Sequence, residues 1–173
     1  MMVILAGLPA SGKSTLAHAL AKAMNAVVLD KDIIRPALFP PEKVEYSATQ
    51  DDFVMGLMLQ TAQYLLEKNP TRIVFLDGRT FSRSYQRQLA IDFAEAIGTP
   101  WRMIECVCSE ASARARLSRD LSAGRHPAQN RDLELYKTVR DSFEPIPAPK
   151  LVVDTDQPFE NCVRAGLEFL RSA

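Results

Sequence analysis

The sequence predicts an α/β fold of three layers, with a five-stranded parallel sheet covered by helices on both faces. Three observations lead there. Short apolar runs recur along the 173 residues, separated by segments whose apolar residues have helical spacing, and such alternation specifies a parallel sheet. The first run passes directly into a glycine-bracketed loop and then a helix. An apolar content of 47% and a charged content of 24% suit a globular chain long enough for one substantial core. No repeat, low-complexity tract or second domain interrupts the pattern, so residues 1–173 read as one domain.

The first strand is Met2–Ala6. Gly7-Leu8-Pro9-Ala10-Ser11-Gly12-Lys13-Ser14-Thr15 follows, with the spacing G-x-x-x-x-G-K-S, and Leu16–Met24 continues as helix. A strand, a glycine loop and a helix in that order form the context of a phosphate-binding loop, as opposed to a structural glycine turn. Gly7 and Gly12 permit turns that a side chain would block. Successive N–H groups from Ala10 to Thr15 can then point at phosphate oxygens, near the positive end of the helix dipole. Lys13 is expected to reach the β- and γ-phosphates, and the Ser14 hydroxyl to complete a Mg2+ site.

A second strand, Ala26–Leu29, ends in Asp30-Lys31-Asp32-Ile33-Ile34-Arg35-Pro36. Carboxylates just past a strand's carboxyl end lie where open parallel sheets bind ligands. Asp30 is read as a water-mediated magnesium ligand, a base, or a cap for a helix starting near Ile33. Pro36 and Pro40-Pro41 make the next segment a loop or short helix, expected to wall the substrate site from 36 to 50. From Thr49 to Lys68, Phe53, Leu57, Met58, Tyr64 and Leu65 have helical spacing and read as core, with Asp51 and Asp52 favouring the first-turn dipole. Asn69-Pro70 ends this helix.

Arg72–Asp77 is the third strand, with an acid at its tip placed to hold magnesium directly or through water. A helix from Ser84 to Ile97 follows, closed by Gly98-Thr99-Pro100. Trp101–Val107 is the fourth strand, and Ser109 can cap the helix after it. That helix carries Arg114, Arg116 and Arg119 and runs into an arginine-bearing segment, so that about 116–131 reads as a lid over the triphosphate. Leu133–Phe143 is helical, and Leu151–Asp154 and Phe159–Leu170 close the chain as strand and helix.

Lysine plus arginine and aspartate plus glutamate each count 21, so no strong overall field attracts long nucleic acid. Residues 72–131 hold ten arginines, no lysine and six acids, a local net of +4, which reads as phosphate contacts or as solvated helix faces. The three cysteines, Cys106, Cys108 and Cys162, lack C-x-x-C spacing and read as small buried residues in a reducing cytoplasm. Cleavage of a signal peptide would take away a phosphate loop that starts at the seventh residue, so none is expected, and no run approaches membrane-spanning length. His18, His126 and Trp101 are read without a catalytic role.

On Gly7–Thr15, Asp32-Ile33-Ile34-Arg35, Leu76-Asp77 with Arg83 and Arg87, Arg116 and Arg119, and Val152-Val153-Asp154-Thr155, the chain resembles the small P-loop kinases. Within them it is similar to the AAA_33-type kinases that include polynucleotide 5′-hydroxyl kinases. Chloramphenicol phosphotransferases, gluconate and shikimate kinases and zeta-type toxins are similar in the first strand, loop and helix and the early acid. The resemblance implies a P-loop NTPase fold with sheet order 2-3-1-4-5. It implies Asp32 as the base for an attacking hydroxyl, Arg35 on the acceptor, and a lid arginine, Arg116, Arg119 or Arg125, stabilising the transferred phosphoryl group. Asp77 and Arg83 are carried to the substrate side, Ser14 and Asp77 to the metal, and Arg119 and Thr155 to the nucleotide. The family often runs D-x-T-N after the third strand, whereas Asp77-Gly78-Arg79-Thr80-Phe81 is one residue longer, so Arg79 and Thr80 receive no carried role.

The reading from sequence is therefore a kinase that moves the γ-phosphate of ATP to a hydroxyl of a small-molecule acceptor with Mg2+. Asp32 stands as base against Asp30 as base and against a purely structural Asp32. A polynucleotide 5′-end kinase and a non-catalytic nucleotide switch are the alternatives. The switch lacks a guanine-reading N-K-x-D sequence. The expected partners are a nucleoside triphosphate and the acceptor, with no membrane, and no motif sets an oligomeric state.

Overall fold

The computed structural model describes residues 1–123 and 132–172, the side chains of 121–123 excepted. Five strands, β1 (Met2–Ala6), β2 (Val27–Asp30), β3 (Val74–Asp77), β4 (Trp101–Val107) and β5 (Leu151–Asp154), form one sheet in the order β2-β3-β1-β4-β5. Every pairing is parallel. The helices are α1 (Lys13–Met24), α2 (Lys31–Leu38), α3 (Ala48–Lys68), α4 (Ser84–Ala96), α5 (Glu110–Ala123), α6 (Leu133–Asp141) and α7 (Phe159–Arg171).

β1 is buried along its whole length because it is central and covered on both faces. Its side chains alternate between two cores, as the two-residue period of a strand requires. Met2, Ile4 and Ala6 join Val74 and Leu76 of β3 against α3 and α4. Val3 and Leu5 join Phe75 against Leu16, Ala17 and Leu20 of α1 and Cys162 and Leu170 of α7. Burial pushes the Cys106 thiol up to about 12, the behaviour of an inert core residue. Among the described residues, no helix is long and apolar enough to cross a membrane.

Two elements differ from the sequence reading. In α3 the buried stripe is Val54, Met55, Met58, Leu59, Ala62 and Leu66, while Phe53 and Tyr64 are exposed. Both stripes have helical spacing, and the sheet face selects the more aliphatic one. Phe53 instead meets the Phe39 ring edge-on at 5.9 Å. The second difference is that α2 starts at Lys31, ahead of Ile33, and runs through Pro36. Asp30 caps it, its Oδ1 accepting the Asp32 N–H at 2.8 Å. Lys31 and Arg35 are both buried, and both pair with Asp51 at the start of α3. These anchors hold a helix that a proline would otherwise shorten.

Candidate active site

The phosphate loop joins β1 to α1 through two turns that need glycine. Gly7 has φ +139°, and a β-carbon there would lie 2.3 Å from the Cys106 carbonyl oxygen. Gly12, with φ +86°, starts α1, whose first turn contains no acid, so its positive end stays uncompensated. Lys13 Nζ donates to the carbonyls of Gly7 at 2.9 Å and Leu8 at 2.8 Å, which lays the ammonium across the loop. The Gly7 N–H donates to the Thr80 carbonyl at 3.0 Å. That bond fastens the segment after β3 beside the loop.

A cleft of about 500 Å³ opens here. One wall carries Ala10, Gly12, Lys13, Ser14 and Thr15, a second Asp32 and Gly78–Thr80, and a third Arg116, Arg119 and Thr155. Parallel-sheet topology accounts for the convergence, because β1, β2, β3 and β5 all deliver their carboxyl ends to this side. Asp32 follows β2 by two residues, and the Lys31 ammonium lies 3.6 Å from its carboxylate. Asp30 is committed differently, to the α2 cap.

Asp77 is fully buried, and neither carboxylate oxygen has a hydrogen-bond partner. Asp30 is its direct neighbour in the β2–β3 register. Burial first, and then the Asp77 charge, push the Asp30 carboxyl up to about 6. Two crowded acids, one of them with both oxygens unsatisfied, are what a cation would relieve. Among the described residues, no group of three or more His, Cys, Asp or Glu is assembled. This donor set fits Mg2+, which takes one or two carboxylates together with substrate phosphates, and the Ser14 hydroxyl is the further donor.

The two candidate arginines of α5 sit differently. Arg116 donates to the Ala10 carbonyl at 3.1 Å, the Thr155 hydroxyl at 2.9 Å and the Thr155 carbonyl at 2.9 Å, and lies 3.6 Å from Asp156. It clasps the phosphate loop to the turn after β5. Thr155 is the hub, its hydroxyl 3.0 Å from the Ser11 carbonyl. Arg119 lines the cleft one turn further along α5. Arg125 and His126 belong to 124–131, which lies outside the described residues, as does that part of the expected lid.

Three expected acceptor residues, Asp77, Arg35 and Arg83, are not brought to the cleft lining, Asp77 being wholly buried. Arg35 is buried against Asp51, with its guanidinium 5.0 Å from the centre of the Tyr46 ring. Arg83 is at the surface, 3.5 Å from Glu144. Among the described residues, the cleft takes 78–80 from beyond Asp77 and none from 36–50. Instead Gln50 turns back on the 43–45 segment, accepting the Glu45 N–H and donating to the Lys43 carbonyl. Much of the arginine-rich stretch is similarly engaged. Arg87 donates to the carbonyls of Phe81 and Pro145, and Arg114 pairs with Glu110.

The residue that sequence reasoning passed over is Arg79. It is buried, lines the cleft, and gives Nη2 to Asp52 at 2.5 Å. Asp51 and Asp52, read as dipole residues, are thus the ion-pair partners of Arg35 and Arg79. The only local signal was the arginine one position past the glycine that follows Asp77, and nothing in that spacing announced its burial.

The chain resembles solved P-loop kinases over nearly its whole length. A candidate kinase from Chloroflexus aurantiacus is 24% identical, with 99% of this chain and 96% of that one covered and a TM-score of 0.78. The APS kinase of Mycobacterium tuberculosis, solved with AMPPNP and APS, is 18% identical over 98% and 96%, with a TM-score of 0.74. A gluconokinase from Sinorhizobium meliloti is 16% identical over 99% and 91%, with a TM-score of 0.71. These likenesses establish the P-loop kinase fold, including the sheet order that the resemblance implied. No curated protein matches the chain at a significant level. The AAA_33 model, described as an AAA domain, matches residues 2–146, and the chain belongs to that family.

Proposed function

We propose that the chain is an ATP-dependent phosphotransferase that moves the γ-phosphate to a hydroxyl of a small-molecule acceptor. The observation that carries this reading is the sharing of one cleft by the Lys13–Ser14 loop, the Asp32 carboxylate and Arg119. A carboxylate in the cleft that carries the phosphate loop gives an incoming hydroxyl a proton acceptor.

In the proposed reaction the loop amides and Lys13 bind the β- and γ-phosphates, with Lys13 exchanging its carbonyl partners for phosphate oxygens. Asp32 accepts the proton of the acceptor hydroxyl as that oxygen forms its bond to the γ-phosphorus, and the bond to the β-phosphate oxygen breaks to release ADP. Lys31, 3.6 Å away, holds the Asp32 carboxylate in place. Arg119 stabilises charge on the transferred group, and Arg116 keeps the loop and the β5–α7 turn in register. Ser14 and Asp77 would hold Mg2+, which would supply charge neutralisation to the phosphates.

The test is ADP release from ATP and Mg2+ across a panel of polyols, hydroxy acids, sugar phosphates, nucleosides and 5′-hydroxyl oligonucleotides. Acceptor-dependent release with a small hydroxyl compound is the expected result. Nucleotide binding with no acceptor-dependent release from any of them removes the transferase reading and leaves capture alone.

A further inference from the structure

Arg79 presents a chemical demand that its protein surroundings do not meet. The guanidinium is permanently charged and carries five N–H donors. Nη2 is met by Asp52 and lies 3.4 Å from the Tyr85 hydroxyl, while Nε and Nη1 are buried without an acceptor. Unmatched donors on a buried cation are costly, and native proteins keep few of them. The Asp52 side chain is 41% exposed against 2% for Arg79, so the single acidic partner stands at the solvent edge and the cation stands inside.

The position is as informative as the partners. Gly78 and the Gly7-to-Thr80 hydrogen bond hold Arg79 on the cleft wall that also carries Asp32. The Tyr85 ring centre is 5.9 Å from the guanidinium, and the buried cations Lys31 and Arg35 are close enough to feel its charge. A group bound by Arg79 therefore shares the cleft with whatever hydroxyl Asp32 holds.

We infer that Arg79 is the specificity determinant for the acceptor, and that the acceptor carries an oxyanion, a carboxylate, phosphate or sulfate, beside the hydroxyl that is phosphorylated. The inference rests on the phosphotransferase reading for its account of the hydroxyl, and on Arg79 alone for the anion. An oxyanion supplies acceptors to Nε and Nη1 while leaving Asp52 on Nη2. A neutral polyol satisfies the same donors less strongly, since charge-assisted hydrogen bonds are about twice as strong as neutral ones.

The test begins with inorganic sulfate as the probe and the full chain saturated with AMPPNP and Mg2+, so that the phosphate loop is occupied. Calorimetric titration is expected to show sulfate binding to the loaded protein, weakened about tenfold or more in Arg79→Gln with nucleotide affinity unchanged. Asp52→Asn keeps the guanidinium and removes its competing carboxylate, so it tightens sulfate binding, and it serves if Arg79→Gln does not fold. Sulfate affinity unaltered in the variants, or sulfate binding abolished by nucleotide, overturns the inference.

The second arm compares glycerol with glycerate and glycerol phosphate as acceptors. Lower KM for the anionic members, lost in Arg79→Gln with KM for ATP unchanged, supports the inference. Equal use of neutral and anionic acceptors overturns it while phosphotransfer stands. Absence of any transfer strikes the phosphotransferase reading instead, because sulfate titration of the AMPPNP-loaded protein still reads the Arg79 site.

Discussion

Asp30 and Gly78 meet where the two acid-tipped strands end, and a β-carbon on Gly78 would lie 2.6 Å from Asp30 Oδ1, the oxygen that accepts the Asp32 N–H. The same β-carbon would lie 2.9 Å from the Asp32 nitrogen itself. The absence of a side chain at 78 thus sets how close the turn after β3 comes to the turn that carries the proposed base.

Gly78→Ala is therefore expected to destabilise the fold by more than strain alone. Gly98 provides the comparison, since it also has positive φ but nothing within 4 Å of its missing β-carbon. Gly98→Ala costs about 1–2 kcal/mol, the price of a left-handed L-residue. Gly78→Ala costs more, because backbone and a capping carboxylate must also shift. Urea denaturation of both variants makes the measurement, and equal losses would show that the close packing at 78 has no energetic weight.

Asp32→Asn keeps the size and polarity of the side chain and removes the proton acceptor. Turnover is expected to fall at least about a hundredfold, the lower range of a general-base contribution. ATP affinity, measured by calorimetry, is expected to stay as in wild type. Undiminished turnover would take Asp32 out of the chemistry.

Arg116→Ala and Arg119→Ala separate a clasp from a contact with the reacting group. Loss of the Arg116 bonds to Ala10 and Thr155 frees the phosphate loop from the β5–α7 turn, so nucleotide affinity and melting temperature both drop. Arg119→Ala is expected to lower turnover about 10³-fold or more, as an arginine aiding phosphoryl transfer does, with little change in ATP affinity. The reverse pattern would exchange their roles.

Lys31 gives a pH signature. Burial lowers its ammonium to about 8, partly offset by Asp32. The unfolded chain, with lysine near the ordinary value of about 10.4, binds more protons than the folded one between those limits. The stability contribution of Lys31 is thus complete above the ordinary value and is lost as pH falls through about 8. The melting temperature of wild type minus that of Lys31→Met should rise from pH 8 to pH 10. A flat difference across that range would mean that Lys31 titrates alike in both states.

Much of the scaffold was legible because its signals are local. The apolar runs, the G-x-x-x-x-G-K-S spacing and the prolines and glycines between elements each speak through neighbouring residues. The α3 stripe was not, since Phe53 and Tyr64 match a helical period as well as Val54 and Met58 do, and only the sheet face decides which side is covered. Arg83 and Arg79, four residues apart, look alike in the sequence, yet one pairs with Glu144 at the surface and the other is buried and paired with Asp52.

By itself the sequence determined the alternating architecture, the phosphate loop and the acids at the tips of β2 and β3, because periodicity and turn chemistry act over a few residues. Only the tertiary structure decided which arginines reach the cleft. Arg35 with Asp51, Arg79 with Asp52, and Arg116 with Thr155 are pairings across elements. The packing of α2, α3 and α5 around the sheet chooses among cations that are chemically equivalent along the chain.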